Sequence, residues 1–258
     1  MNDEKFVAFV GDVHGDLPHM LRVIDRMAAL GVTAIVQLGD FGFDNEQHLG
    51  ILTFHLRKYG MILYYIDGNH ENHHWILTHE ILNGFRPITE RIVHLPRGFR
   101  WEWQGIEYLA MGGAHSVDKS WRTPGLDWFP EETITYEQAD EAMAGGKADI
   151  MLCHDVPSGV DIKAIWGNPM GWPDHAIRAS QHHRDVLRVI IDEVRPYHIF
   201  SGHYHTFEHH LLKGKDYLSR VHILDMNGGC PWYENIAVTD HKTFIFGEDL
   251  KNFTGFGK

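Results

Sequence analysis

Cysteine is nearly absent: Cys153 and Cys230 are the only two in 258 residues. Two thiols give no disulfide framework, and such sparse use suits a reducing cytosol. No apolar run approaches the ~20 residues that a bilayer-spanning helix needs, so no membrane partner is expected. The start, Met-Asn-Asp-Glu-Lys, lacks the basic residues and apolar stretch of a signal peptide, so a cytoplasmic location is expected. Basic charge is also scarce, with 23 Lys and Arg against 35 Asp and Glu and a net charge of −12. There is no basic run. An acidic surface repels a polyphosphate backbone, so extended nucleic acid is not the expected partner. Repeats, low-complexity tracts and linkers are missing too, and one domain over residues 1–258 is expected.

What the chain has in excess is histidine, 21 residues in all. Apolar residues make up 43%, enough for a sizeable core. The chemistry gathers in five short pieces: Gly11-Asp12-Val13-His14-Gly15, Gly39-Asp40, Gly68-Asn69-His70-Glu71, Leu152-Cys153-His154-Asp155 and Gly202-His203-Tyr204-His205. Each follows an apolar run that reads as a strand: 6–10, 34–38, 61–66, 150–152 and, after one serine, 199–200. Ligands of open α/β sheets bind just outside the carboxyl ends of strands. Carboxylate and neutral imidazole both suit first-row divalent metals. Five strand ends carrying Asp, Asn and His therefore point to one polynuclear metal site. Asp12 and His14 are spaced i, i+2, which puts both on one side of an extended chain, and His203 and His205 repeat the device. Asp40 has two carboxylate oxygens and can bridge two cations. The histidines at 48, 55, 94, 198, 209, 210, 222 and 241 match no motif, and surface or packing roles are expected for them.

Between the motifs, strands alternate with helices over 16–30 and 46–59, which implies parallel pairing with right-handed crossovers. Asp16 can cap the first helix, with Pro18 in its first turn. A third helix is expected over 72–82. Short strands follow at 91–95, 99–103 and 106–111, with Gln104-Gly105 as a tight hairpin turn. Residues 112–133 form an irregular aromatic stretch. Helices over 136–144 and 174–194 come next, separated by a strand from 149 and a long loop over 155–173. The tail from 207 to 247 holds several strand-like runs.

The order Asp-x-His, Gly-Asp, Gly-Asn-His-Glu, a lone His after a strand, then Gly-His-x-His resembles the calcineurin-like metallophosphoesterases. The resemblance implies an α/β fold, a four-layer α-β-β-α sandwich of two mixed sheets flanked by helices. It implies one ion held by Asp12, His14, Asp40 and His205, and a second held by Asp40, Asn69, His154 and His203. Two divalent ions are therefore the expected cofactors, with manganese foremost and Fe, Ni, Co or Zn also fitting. It further implies that a hydroxide bridging the ions attacks phosphorus. His70 would face the substrate, protonating the leaving oxygen or stabilising charge on phosphate. Asp44, in the loop after Asp40, is the candidate to orient His70.

One departure stands out. The second motif reads Gly39-Asp40-Phe41-Gly42-Phe43-Asp44-Asn45, without the arginine that the family's Ser/Thr phosphatases carry there. Arg122 is the candidate replacement. Nearby Trp121, Trp128 and Phe129 either stack on a base or pack their loop onto the fold, and residues 112–133 become a rim or lid. Residues 166–173 form a second candidate rim. The expected activity is a phosphodiesterase acting on small phosphoesters such as nucleotides. The alternatives are a phosphomonoesterase acting on nucleotides or phosphoproteins, and a non-catalytic binding scaffold.

Overall fold

The computed structural model describes residues 2–228 and 231–256. Cys230 lies outside them; Cys153 is buried and free. The first half of the chain gives β1 (Val7–Val10), α1 (Leu17–Ala29), β2 (Ala34–Gln37), α2 (Glu46–Lys58), β3 (Ile62–Tyr65), α3 (His73–Leu77), β4 (Arg86–Pro87), β5 (Ile92–His94), β6 (Arg100–Trp103) and β7 (Ile106–Met111). The second half gives α4 (Tyr136–Ala144), β8 (Ile150–Cys153), α5 (Asp174–Val194), β9 (His198–Ser201), β10 (Glu208–Lys213), β11 (Leu218–Ile223), β12 (Ile236–Thr239), β13 (Phe244–Phe246) and α6 (Gly247–Asn252).

The strands form two mixed sheets. One has seven strands in the order β13-β12-β1-β2-β3-β5-β4, and the other has six in the order β10-β11-β9-β8-β7-β6. In the first, β1, β2, β3 and β5 run parallel; in the second, β7, β8, β9 and β11 do. Antiparallel strands close the edges. The apolar runs explain this layering. A strand covered on both faces must be apolar throughout, and β1, β2 and β8 are buried at every position. Alternate residues of β1 serve different layers. Val7 and Phe9 pack between the sheets with Tyr108, Leu152 and Phe200. Ala8 and Val10 face outward onto Met20, Ile24 and Met27 of α1. On the far side, Leu109 and Ile199 meet Leu187 and Ile190 of α5. The result is the expected four-layer sandwich.

Local signals work as read at α1, where the His19 N–H donates to Asp16 Oδ1 at 2.9 Å. The Gln104-Gly105 turn also forms, both residues having positive φ of 51° and 76°. The helix expected over 72–82 is much shorter. It stops at Leu77, and Thr78 Oγ1 donates to the Trp75 carbonyl at 2.7 Å. Asn83 and Gly84 then take positive φ of 55° and 89° in a tight turn bridging Leu82 and Phe85. Asn-Gly prefers that left-handed pair to helix, and it ends the run. No helix among the described residues is long and apolar enough to cross a membrane.

Candidate metal centre and active site

The five motifs emerge at the carboxyl ends of β1, β2, β3, β8 and β9. Because the two sheets face each other, their loops converge, and two groups of ligand atoms result. Asp12, His14 and His205 form one; Asp40, His154 and His203 form the other. In the first, His205 Nε2 lies 3.1 Å from both Asp12 Oδ2 and His14 Nε2. In the second, His154 Nε2 lies 3.3 Å from Asp40 Oδ1 and 3.2 Å from Asn69 Oδ1. Asp40 spans both groups, because its Oδ2 is 4.0 Å from His14 Nε2. Asn69 thus joins the second group, and all seven expected ligands are brought together.

Close approach demands glycine here. A Cβ on Gly202 would strike Asp12 Oδ1, and one on Gly68 would strike Asp40 Oδ1. Four of the seven side chains sit on left-handed backbone: His14 at φ 47°, Asp40 at 55°, His203 at 69° and His205 at 48°. Non-glycine residues hold such angles only where the surroundings impose them, and functional sites collect such strain.

The electrostatics favour positive charge. Burial alone would raise the Asp40 pKa, but His154, then His70 and His14, hold it well below the carboxylate range. Burial opposes charge on His154, yet Asp40, Asp12 and Glu71 push it up to about 10. His154 Nδ1 is 2.8 Å from the Leu38 carbonyl, which only accepts, so Nδ1 carries hydrogen and Nε2 is the ring nitrogen that faces the site. His203 is driven down to about 4, by burial first and against Asp155, and so is a neutral imidazole. The Asp12 hydrogen bond raises His205, burial opposing. Buried carboxylates beside imidazole nitrogens and an amide oxygen are a donor set that fits two divalent cations, which would displace the protons the carboxylates now hold on His154 and His205.

His70 stands at the open side of this centre. Its backbone N–H donates to Asp40 Oδ1 at 2.9 Å, and its ring meets that of His14 edge to face. Arg122 reaches it: Nη2 lies 2.8 Å from His70 Nε2, and Nη1 donates to the Asn69 carbonyl at 3.1 Å. A guanidinium only donates, so His70 Nε2 accepts. The His70 pKa is lowered, first by surrounding protein, with Asp40 opposing and Arg122 adding to the fall. Arg122 is itself paired with Asp118 at 2.8 Å. The expected orienting contact from Asp44 is not made. The Asp44 carboxylate instead accepts from Asn72 Nδ2 at 3.0 Å, while the His70 ring turns to Arg122.

The aromatic stretch divides in two. Phe129 is buried against His74, and Lys119 Nζ covers the face of Trp128 at 4.0 Å, so both pack. Trp121 is 73% exposed and lies 4.8 Å from the ring of Trp172, so the two candidate rims touch.

Three sets of supporting residues escape a reading by motif. The Glu71 carboxylate accepts from the N–H groups of Gly68 and Phe41, each at 2.5 Å, and from that of Asp40 at 3.2 Å. It therefore ties the second motif to the third; burial and then Asp40 raise its pKa to about 8. Asn69 Nδ2 donates to Ser116 Oγ at 3.0 Å, and Ser116 donates to both oxygens of Glu132, at 2.5 and 2.9 Å. That chain fixes which end of the amide faces the ions. Asp155 accepts from His183 Nδ1 at 2.7 Å and from the Tyr204 hydroxyl at 3.0 Å, joining the fourth and fifth motifs to α5. Glu71, Asp155 and Tyr204 stand inside the motif pieces, so a signal for them was present. Ser116, Glu132 and His183 carry no spacing signal.

The unmatched histidines lie outside both ligand groups. His94 pairs with buried Asp67, His241 bonds Tyr108 and the Glu4 carbonyl, and His55 pairs with Asp25. His198, His209 and His222 pack against Phe200, Phe244 and Phe246.

A model of the calcineurin-like phosphoesterases matches residues 7–207, from β1 through the last motif. The chain belongs to the calcineurin-like phosphoesterases. It is therefore a metal-dependent phosphoester hydrolase of a dinuclear family, and its two ligand groups accord with that. No curated protein sequence matches the chain. Solved structures share the phosphoesterase fold. The crystal structure of TT1561 of Thermus thermophilus aligns with a TM-score of 0.55 at 13% identity, covering 96% of this chain and 99% of that one. A dimetal phosphatase from Danio rerio aligns with a TM-score of 0.57 at 12% identity, covering 92% of each chain. At such identities the likeness is one of fold.

Proposed function

We propose that this phosphoesterase is a phosphodiesterase acting on small phosphoesters, nucleotides among them, with manganese as its working metal. The observation that carries this reading is Arg122. Among the described residues it is the one guanidinium hydrogen-bonded to His70 or Asn69, and Asp118 already offsets its charge. A diester carries one negative charge and a monoester about two, so a single half-neutralised guanidinium matches the diester better.

When bound, the two ions neutralise charge on the phosphoryl group and supply a nucleophile from water at neutral pH. Asp12, His14 and His205 would hold one, Asn69, His154 and His203 the other, and Asp40 would serve both. Arg122 gives its Nη2 hydrogen bond to a phosphoryl oxygen, releasing His70 Nε2. The anion beside it raises the His70 pKa, and the ring takes up a proton. His70 then delivers that proton from Nε2 to the leaving oxygen. Trp121, exposed next to Arg122, offers a face on which a base stacks.

The test is kcat/KM for bis(p-nitrophenyl) phosphate against p-nitrophenyl phosphate, after loading with Mn, Fe, Ni, Co or Zn. A higher value for the diester, greatest with Mn, is expected. A higher value for the monoester would overturn the diesterase reading, and no turnover of either with any metal would overturn the assignment of this site.

A further inference from the structure

The loop over residues 112–133, which carries Arg122, begins and ends beside Asp67. Asp67 lies just past β3, two positions before Asn69 and three before His70. At the start of the loop, the Gly113 N–H donates to the Asp67 carbonyl at 2.7 Å. At its end the link is a buried guanidinium. Arg97 Nε and Nη2 donate to Asp67 Oδ2, at 3.0 and 2.5 Å. Nη2 also donates to the Glu131 and Glu132 carbonyls, at 2.8 and 3.0 Å. Nη1 donates to the Thr133 carbonyl at 2.6 Å and to Gln138 Oε1 at 3.3 Å. The Arg97 and Asp67 side chains are 4% and 3% exposed.

Buried carbonyls of irregular chain have no ladder to satisfy them and need another donor. One planar guanidinium here serves three successive carbonyls and a carboxylate. A lysine ammonium lacks that fork. From this neck the chain reaches Arg122 in short, bonded steps. Glu132, whose carbonyl Arg97 holds, accepts from Ser116 N–H and Oγ through its carboxylate. The Lys119 N–H then donates to the Ser116 carbonyl, and the Arg122 N–H to the Lys119 carbonyl, each at 3.2 Å. The Arg122 side chain closes the circuit on the Asn69 carbonyl and His70 Nε2.

We propose that Arg97 is a positioning residue: it fixes the neck of this loop to Asp67 and thereby sets where Arg122 stands against His70. This rests on the reading of Arg122 as the group that binds a phosphoryl oxygen.

The experiment is a double-mutant cycle on the manganese-saturated full chain. Arg97→Lys keeps a positive charge beside Asp67 and gives up the fork. The unaltered protein, Arg97→Lys, Arg122→Ala and the two changes together are compared by kcat/KM for bis(p-nitrophenyl) phosphate. Arg97→Lys should lower it roughly 10–10²-fold, up to the loss that a misplacement of about 1 Å can bring. Arg122→Ala should lower it at least as far. Once Arg122 is gone, Arg97→Lys should change it by no more than about twofold, because a residue acting through Arg122 has nothing left to place. Hydrogen exchange should quicken over residues 116–128 in Arg97→Lys and stay unchanged in β1 and β8. If Arg97→Lys does not fold, Asp67→Asn with Arg97→Gln removes both buried charges together and takes its place in the cycle. Losses that multiply in the combined variant, or unchanged exchange over 116–128, would overturn the inference and leave Arg97 a role in folding alone. Full activity in Arg122→Ala would overturn it by a different route, by removing the reading of Arg122 on which it rests.

Discussion

Ser116→Ala should weaken one metal position far more than the other. Ser116, Asn69 and Glu132 are each at most 4% exposed, so no water substitutes freely for a lost partner. The change strips Asn69 Nδ2 of its acceptor at 3.0 Å and Glu132 of its 2.5 Å hydroxyl donor. A buried group deprived of its partner costs about 1–3 kcal/mol. Set against a domain stability of about 5–15 kcal/mol, the variant still folds. The freed amide can rotate, turning Nδ2 rather than Oδ1 toward His154 and the ion. Loss of such an orienting partner typically costs about 10–100-fold in metal affinity. Calorimetric titration with Mn should show one site weakened by that factor. The site of Asp12, His14 and His205 should change little. A variant that melts earlier but binds both ions as tightly as before would refute the reasoning, leaving Ser116 a role in folding alone.

His70→Ala should leave metal content intact and lower kcat roughly 10²–10⁴-fold. The loss should be smaller for nitrophenyl esters, which need little protonation; an equal loss for poor and good leaving groups would contradict proton donation. Acid stability should trace to the second sheet. His222 is pushed down to about 3 by burial and then by His209, His198 and Arg220, and His198 down to about 4 by burial and then Arg220. Depressed histidine pKa values mean stability that is full above pH about 6.5 and is lost progressively as pH falls from there to the folded values of about 4 and about 3. His222→Phe, which keeps a ring against Phe200 and Phe246, should therefore show a shallower fall in melting temperature between pH 7 and 4; an unchanged slope would contradict the assignment. Gly202→Ala should cost metal binding at the Asp12 group, because its methyl meets Asp12 Oδ1, and metal analysis showing full occupancy would count against that contact.

Most of the metal centre was legible because its parts are local. The seven ligands follow five strand ends within a few residues, and a glycine beside most of them marks where backbone and side chain must pass closely. The sandwich was legible for a related reason: strands covered on both faces are apolar nearly throughout, as β1 and β8 are at every position and β2 is up to Gln37. Failures came where residues meet only through space. Ser116 and Glu132 act on Asn69 from 47 and 63 positions along the chain, and no spacing rule joins them. Asp44 sits close to His70 in the fold, yet the Asn72 amide holds its carboxylate. Arg122 was found for a different reason: the second motif lacked a cation, and the aromatic stretch carried one. The overlong helix from Asn72 was a local error: the turn at Asn83-Gly84 pairs Leu82 with Phe85 and so takes the end of that stretch out of the helix, and Thr78 bonds back to the Trp75 carbonyl where the helix stops.

The central claim is that one carboxylate serves two ions. Metal content per chain, measured by elemental mass spectrometry after manganese loading and gel filtration, tests it most directly in the unaltered protein and in Asp40→Ala. Two equivalents are expected in the first, and loss of both in the second, because Asp40 faces His154 with Oδ1 and His14 with Oδ2. Two equivalents retained in Asp40→Ala would contradict it.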